Sequence, residues 1–258
     1  MKVSEYLREY NIKLLKSLGQ NFLTNQKIAK EIVEKAEIDE KDVVLEIGPG
    51  AGALTEYLVL TGAKIIAVEV DKRLIPILKR FNKFDNIQIV FQDFLKFDLS
   101  ILPKDFKVVA NIPYSITGMI LKKILFSRFS RAVLMVQKEV GERLLAPPRS
   151  DRSFLSVVVQ NFTVAKKLLN VSKGNFIPQP KVDSVVLDLK RKKDFEYDIG
   201  EFWNFVSRCF EAKRKTLYNN LRKFTDVGCF SGFDLKRRPQ ELENEEFLEL
   251  FERFKGCK

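Results

Sequence analysis

The 258-residue chain contains no histidine. That absence removes Ser-His and Cys-His nucleophilic catalysis and most zinc sites in one step, so no metal centre is expected. Whatever chemistry occurs has to use carboxylates, amides, aromatics or a borrowed cofactor. Cysteine is scarce. Cys209, Cys229 and Cys257 form neither a ligand spacing nor an even framework, and read as free thiols in a reducing compartment. Long hydrophobic runs are also missing. Runs such as 132–136 and 157–159 fall far short of a membrane span. Residues 1–16 mix Lys, Arg and Glu into their Leu and Tyr, which leaves no signal-peptide core. A cytoplasmic protein with no membrane partner is expected.

What the chain does have is basic charge. The net charge is +11. Residues 1–193 carry 33 Lys and Arg against 21 Asp and Glu, while residues 194–258 carry 12 against 13. The excess lies in the larger part, and a polyanionic partner such as nucleic acid is the functional reading of it. The charge run 191–194 marks a domain boundary. It divides the chain into a catalytic domain over 1–193 and a small all-α domain over 194–258.

Along the first part, strands alternate with helices. Short apolar runs at 42–48, 64–70, 87–91, 107–110 and 131–137 read as buried strands. Helical spacing at 25–36, 54–60, 72–81, 117–126 and 140–145 separates or flanks them. This pattern predicts an α/β, Rossmann-like fold with a mostly parallel sheet covered on both faces. Two further runs, 168–171 and 184–190, have no helix between them, so an antiparallel sheet edge is expected there. A Pro-stiffened loop joins them. Residues 146–152 read as a polar break, and 202–224 and 241–254 read as helices.

The first strand runs into Glu46-Ile47-Gly48-Pro49-Gly50-Ala51-Gly52. Gly48 and Gly50 allow a tight turn and let a ligand approach the backbone. Glu69 ends the second strand, where an acidic residue accepts the hydroxyls of an adenosine ribose. Asp93 follows the third strand and offers an acceptor for an adenine amino group; its other role is a turn or cap. NAD and S-adenosylmethionine both fit this half of the site.

The fourth strand separates them. It ends in Asn111-Ile112-Pro113-Tyr114, and the chain has neither His nor a Tyr-x-x-x-Lys for hydride chemistry. The set suits a planar, weakly basic amine. The Asn111 amide oxygen and the Ile112 carbonyl are two acceptors for the hydrogens of an exocyclic adenine nitrogen. Pro113 restricts Ile112 to extended geometry. Tyr114 offers a stacking face typically worth about 1–3 kcal/mol. Catalysis by positioning then needs no general base. Phe176 is a candidate for the other face of the base, with a core-anchoring role equally open. A hydride-transferring enzyme and a non-catalytic RNA-binding factor are the competing classes.

At these residues the chain resembles the ribosomal RNA adenine dimethyltransferases of the KsgA type, which are class I methyltransferases using S-adenosylmethionine. The resemblance rests on Leu18-Gly19-Gln20-Asn21-Phe22-Leu23, the glycine turn, Asn111-Ile112-Pro113-Tyr114, and Phe176-Ile177-Pro178-Gln179-Pro180-Lys181-Val182-Asp183-Ser184. It extends to Lys213-Arg214-Lys215-Thr216-Leu217-Tyr218-Asn219-Asn220-Leu221 and Arg237-Arg238-Pro239-Gln240-Glu241-Leu242. It implies a seven-stranded sheet. It also implies dimethylation of two adjacent adenosines in a hairpin loop near the 3′ end of 16S rRNA, on a partly assembled small subunit. Asn21 and Leu23 are implied to touch the cofactor, with Gly48, Glu69, Asp93 and Asn111 lining its pocket and Gln20 contacting cofactor or substrate. Where many members have Leu, this chain has Ile112, as related enzymes of the large subunit often do. The contact there is a backbone carbonyl, which Ile supplies equally. The helical domain is implied to contribute to rRNA binding, with Arg208, Lys213, Arg214, Lys215, Arg222 and Lys223 as the candidate surface. A monomer is expected.

Overall fold

Near-continuous apolar runs build the middle of the central sheet, where strands are buried on both faces. In the computed structural model, which describes residues 3–15, 19–193 and 195–257, this sheet has seven strands. They are β2 (Val43–Ile47), β3 (Lys64–Glu69), β4 (Ile87–Phe91), β5 (Lys107–Asn111), β6 (Arg131–Gln137), β7 (Thr163–Val171) and β9 (Ser184–Arg191). Their order is β4-β3-β2-β5-β6-β9-β7. β4, β3, β2, β5 and β6 are parallel neighbours, and β9 runs antiparallel to β6. A separate two-stranded sheet pairs β1 (Phe22–Leu23) with β8 (Phe176–Ile177), setting Leu23 opposite Phe176. Two motifs about 150 residues apart in sequence thereby become neighbours.

Strand order reverses between β2 and its two partners, β3 and β5. That reversal opens the crevice at the carboxyl ends of the strands where open α/β sheets bind ligands. Ile47, Glu69, Phe91 and Asn111 end their strands on this one edge. Helices α1 (Val3–Glu9), α2 (Gln26–Lys35), α3 (Thr55–Leu58), α4 (Ile75–Leu78) and α5 (Thr117–Leu125) pack around the sheet. One core cluster joins Ile32 and Val33 of α2 to Val44, Val109 and Val133. A second joins Leu7 of α1 to Phe22, Ile77 and Phe81. Asn25 caps α2 by accepting hydrogen bonds from the amides of Lys27 and Ile28.

The chain divides into two compact units. The first holds residues up to Gly141 together with Lys166–Arg191, and the second holds Glu142–Ala165 together with residues from Lys192 onward. This differs from a single cut at 193: the stretch 142–165 belongs to the helical unit. Asp194, at the expected boundary, lies outside the described residues, as do residues 16–18 with Leu18 of the first motif. Helix α6 (Lys138–Leu144) follows β6. Helix α7 (Phe154–Phe162), which sequence spacing did not reveal, precedes β7. Its β-branched run Val157-Val158-Val159 has the composition of a strand. The capping box between Ser153 and Ser156 starts a helix there instead.

In the helical unit, α7 is joined by α8 (Ile199–Cys209), α9 (Leu217–Leu221) and α10 (Asn244–Gly256). The helix expected over 202–224 is broken between α8 and α9. Asn220 holds the break: its amide nitrogen donates to the carbonyls of Cys209 and Ala212, and its amide oxygen accepts from the Ala212 amide. The reading of three free thiols is corrected. α10 ends beside the turn at Val227–Phe230, and a disulfide joins Cys229 to Cys257 across 28 residues of sequence. Cys209 is free and buried. Among the described residues, no helix is long and apolar enough to cross a membrane.

Candidate active site

At the carboxyl edge of the parallel strands lies a cavity of about 300 Å³. The glycine turn forms one wall. Gly48, Gly50 and Gly52 all have positive φ, at 66°, 60° and 83°. A Cβ on Gly48 would meet no atom within 4 Å, so its face of the turn opens onto space that a ligand can occupy. Gly50 is crowded: a Cβ there would fall 2.8 Å from the Phe22 ring. Arg80 braces the turn from behind. It donates to the Ala51 carbonyl at 2.7 Å, and its guanidinium lies 4.2 Å from the Tyr6 ring centroid.

Two carboxylates face this turn. Glu69 accepts the Gly50 amide at 2.9 Å on one oxygen and the Asp71 amide at 2.9 Å on the other. Each oxygen keeps a lone pair for a further donor, which is what a pair of ribose hydroxyls needs. Burial pushes its pKa up. Glu46 is 1 % exposed and accepts the Thr55 hydroxyl at 2.8 Å. Burial raises its pKa from 4.5 to about 8, with the nearby Glu69 charge acting in the same direction. Glu46 is therefore largely protonated at neutral pH. The folded state then binds a proton that the unfolded state has released between pH 4.5 and about 8. Stability from this group is fully present below the lower value and is lost as pH rises through the upper one. Glu46→Gln is expected to flatten that decline, as followed by thermal unfolding of the ligand-free protein across this range. Parallel Tm profiles for the two proteins would refute the assignment.

The opposite wall is the end of β5. The Asn111 side-chain nitrogen donates to the Asn21 carbonyl at 2.8 Å. With the amide oriented this way, its oxygen is the atom left for a ligand. Ile112 is fixed by its amide, which donates to the Met135 carbonyl at 3.0 Å. Pro113 follows at φ −57° and ψ 126°. Tyr114 lies half-buried on the cavity wall, and its hydroxyl is 2.6 Å from the Ser184 hydroxyl.

The family model described as ribosomal RNA adenine dimethylase matches residues 11–255. The chain belongs to the ribosomal RNA adenine dimethylase family. It is an enzyme of the methyltransferase class, and its family's reaction depends on S-adenosylmethionine. It is 51 % identical to ribosomal RNA small subunit methyltransferase A of Thermotoga neapolitana, over 97 % of this chain and 95 % of that one. The solved dimethyladenosine transferase from Plasmodium falciparum superposes with a TM-score of 0.80 at 32 % identity, covering 92 % of this chain and 98 % of that one. The 23S rRNA methyltransferase ErmE does so at 0.72 and 26 %, covering 91 % and 100 %.

In this adenine dimethylase, Gln20, Asn21, Leu23, Gly48, Gly50, Glu69, Asp93, Asn111, Pro113 and Tyr114 all line the one cavity. Asp93 also caps the turn after β4, accepting the Leu95 amide at 2.9 Å. Gln20 is held by Asp71, to which its side-chain nitrogen donates at 2.7 Å. Burial pushes Asp71 up, but the bonds from Arg73 and Gln20 outweigh it and hold the carboxyl below its usual range. Phe176 is different. It is 3 % exposed, packs in the core with Leu23, and does not line the cavity. Of its two roles open from the sequence, this packing supports the core-anchoring one. Glu46 was missed as a cavity residue. Its signal was an acidic residue inside an otherwise apolar strand. The basic cluster of the helical unit is partly self-neutralised: Lys213 bonds to Asp151, Lys223 pairs with Glu211 at 3.3 Å, and Arg208 lies over the Phe224 ring.

Proposed function

We propose that the protein dimethylates N6 of two adjacent adenosines in the hairpin loop near the 3′ end of 16S rRNA. In this reading it acts as a cytoplasmic monomer on partly assembled small subunits, using S-adenosylmethionine. The observation that carries the reading is the orientation of Asn111. Its nitrogen is committed to Asn21, so its oxygen is available to a donor in the cavity.

The residues present fit the cofactor. The open face of Gly48 has room for it, and Glu69 keeps lone pairs for its ribose hydroxyls. Asp93 stands at the end of the neighbouring strand with an acceptor for its adenine, and Gln20, Asn21 and Leu23 close the cavity from the N-terminal side. When bound, the cofactor supplies an electrophilic methyl group on a sulfonium. The protein's task is to present the amine. A target base has to leave its stack to reach such a cavity. Tyr114 then supports the ring from one face. The Asn111 oxygen and the Ile112 carbonyl accept the two N6 hydrogens, which draws the lone pair out of conjugation. Holding the amine in line is the main catalytic contribution. The methylated nitrogen carries a surplus proton of low pKa and releases it to water, so no basic side chain is required. The match to a small-subunit methyltransferase at 51 % identity supports the choice of 16S rRNA.

The test is mass spectrometry of rRNA from unmethylated small subunits incubated with the protein and labelled S-adenosylmethionine. Two adjacent dimethyladenosines are expected near the 3′ end. Unmodified RNA, or label on large-subunit rRNA alone, would overturn the reading.

A further inference from the structure

The bond between Tyr114 and Ser184 brings a second element into the site. Ser184 is the last residue of the Pro-loop motif and the first of β9, and it is fully buried. It does not line the cavity. Its place is fixed from both sides. Gln137 of β6 is its register partner. The preceding residue, Asp183, accepts the Lys138 amide on its carbonyl and the Lys173 amide on its carboxylate, each at 2.9 Å. A hydroxyl mounted this way cannot follow the ring it holds.

Tyr114 by contrast has freedom to lose. It sits in a short turn between Pro113 and α5, and its ring is only half-buried. Stacking needs an aromatic face and has no use for a phenol oxygen, so phenylalanine would provide the same face. The oxygen is explained by its 2.6 Å contact to Ser184. Burial pushes the phenol pKa up, which keeps its proton in place at neutral pH.

We propose that Ser184 is a positioning residue, whose hydroxyl anchors the phenol oxygen of Tyr114 and so holds the side chain in one χ1 rotamer, its free face set for the target adenine before RNA arrives. This rests on the stacking role given to Tyr114 above. In the empty enzyme the anchor removes swinging about χ1 that would otherwise be lost on binding the base, which is preorganisation. It also ties the tetrapeptide to the end of the Pro loop.

The experiment compares Ser184→Ala, Tyr114→Phe and the double variant. Each single variant removes the same bond and leaves the aromatic face. Each is expected to lower kcat/KM for small subunits by about two- to tenfold, the usual worth of one neutral hydrogen bond. The double variant should be no worse than either single one, because the bond is already lost. Affinity for S-adenosylhomocysteine, by calorimetry, should stay within about twofold, since no cofactor contact changes. Independently of turnover, three-bond couplings of 13C-labelled Tyr114 should show a single χ1 rotamer in the parent, averaging between rotamers in Ser184→Ala and a return to one rotamer in Ser184→Thr. Multiplying losses in the double variant, or an unaveraged χ1 in Ser184→Ala, would overturn the anchor. If the unaltered enzyme itself fails to methylate small subunits, the proposed function fails, and χ1 averaging still decides whether the anchor exists.

Discussion

Asn111→Ala is expected to lower methyl transfer by about 100-fold or more, in the range seen when one preorganised polar group is removed from a catalytic site. The alanine deletes the only side-chain acceptor in the tetrapeptide's proposed pair and leaves the Ile112 carbonyl to act alone. It also deletes the donor to the Asn21 carbonyl at 2.8 Å, so the N-terminal wall of the cavity loses one tie. These two losses are separable. Asn111→Asp keeps an acceptor but sets a carboxylate against the Asn21 carbonyl, so it should lose cofactor affinity as well as rate. Asn111→Ala should bind S-adenosylhomocysteine within about tenfold of the parent, the cost of roughly one hydrogen bond. Single-turnover transfer to small subunits, with calorimetry alongside, reads both quantities. Full transfer by Asn111→Ala would show that the amide is dispensable and that the positioning argument is wrong.

Local signals made much of this site legible. A parallel strand buried on both faces is a plain apolar run, and β2, β3, β4 and β6 were readable to within about two residues. The glycine turn follows β2 directly, so its position came with the strand. The tetrapeptide was equally readable, because Pro113 ends β5 by its own covalent geometry. What was hidden depends on partners far away in sequence. Nothing near Asn111 says that its amide is turned by Asn21, and nothing near Phe176 says that its ring faces Leu23 in the core rather than the cavity. The same holds for Cys229 and Cys257, which become neighbours only through the path of α10. Helix α7 stayed unread for a different reason. Val157, Val158 and Val159 have strand propensity, and the capping serines that override it lie just outside the apolar run.

Arg131→Met is expected to destabilise the fold by about 3–5 kcal/mol, the usual cost of stripping one partner from a buried ion pair. Arg131 begins β6, and Asp188 lies diagonally across on the neighbouring antiparallel strand, opposite Val133 and with no exposed surface. The guanidinium reaches Asp188 with two bonds, of 2.8 and 3.0 Å. It also donates to the carbonyls of Ala36 and Lys35 at the end of α2, at 3.0 and 2.8 Å. One side chain thus satisfies a buried carboxylate and caps a helix. Methionine fills much of the volume but leaves Asp188, among the described residues, with the Lys166 ammonium at 3.7 Å, which is mostly exposed. Arg131→Met combined with Asp188→Leu should recover most of the loss, because the uncompensated charge goes with its partner. The ion pair lies at the start of β6, whereas Asn111 pairs with Met135, four residues further on and about 13 Å away. Folded protein should therefore keep its transfer rate per molecule in both variants. Denaturant midpoints, with activity normalised to folded protein, test this. An unchanged midpoint in Arg131→Met would mean that Lys166 and water satisfy Asp188. A loss of activity without unfolding would mean that the far end of the sheet helps set the position of Asn111.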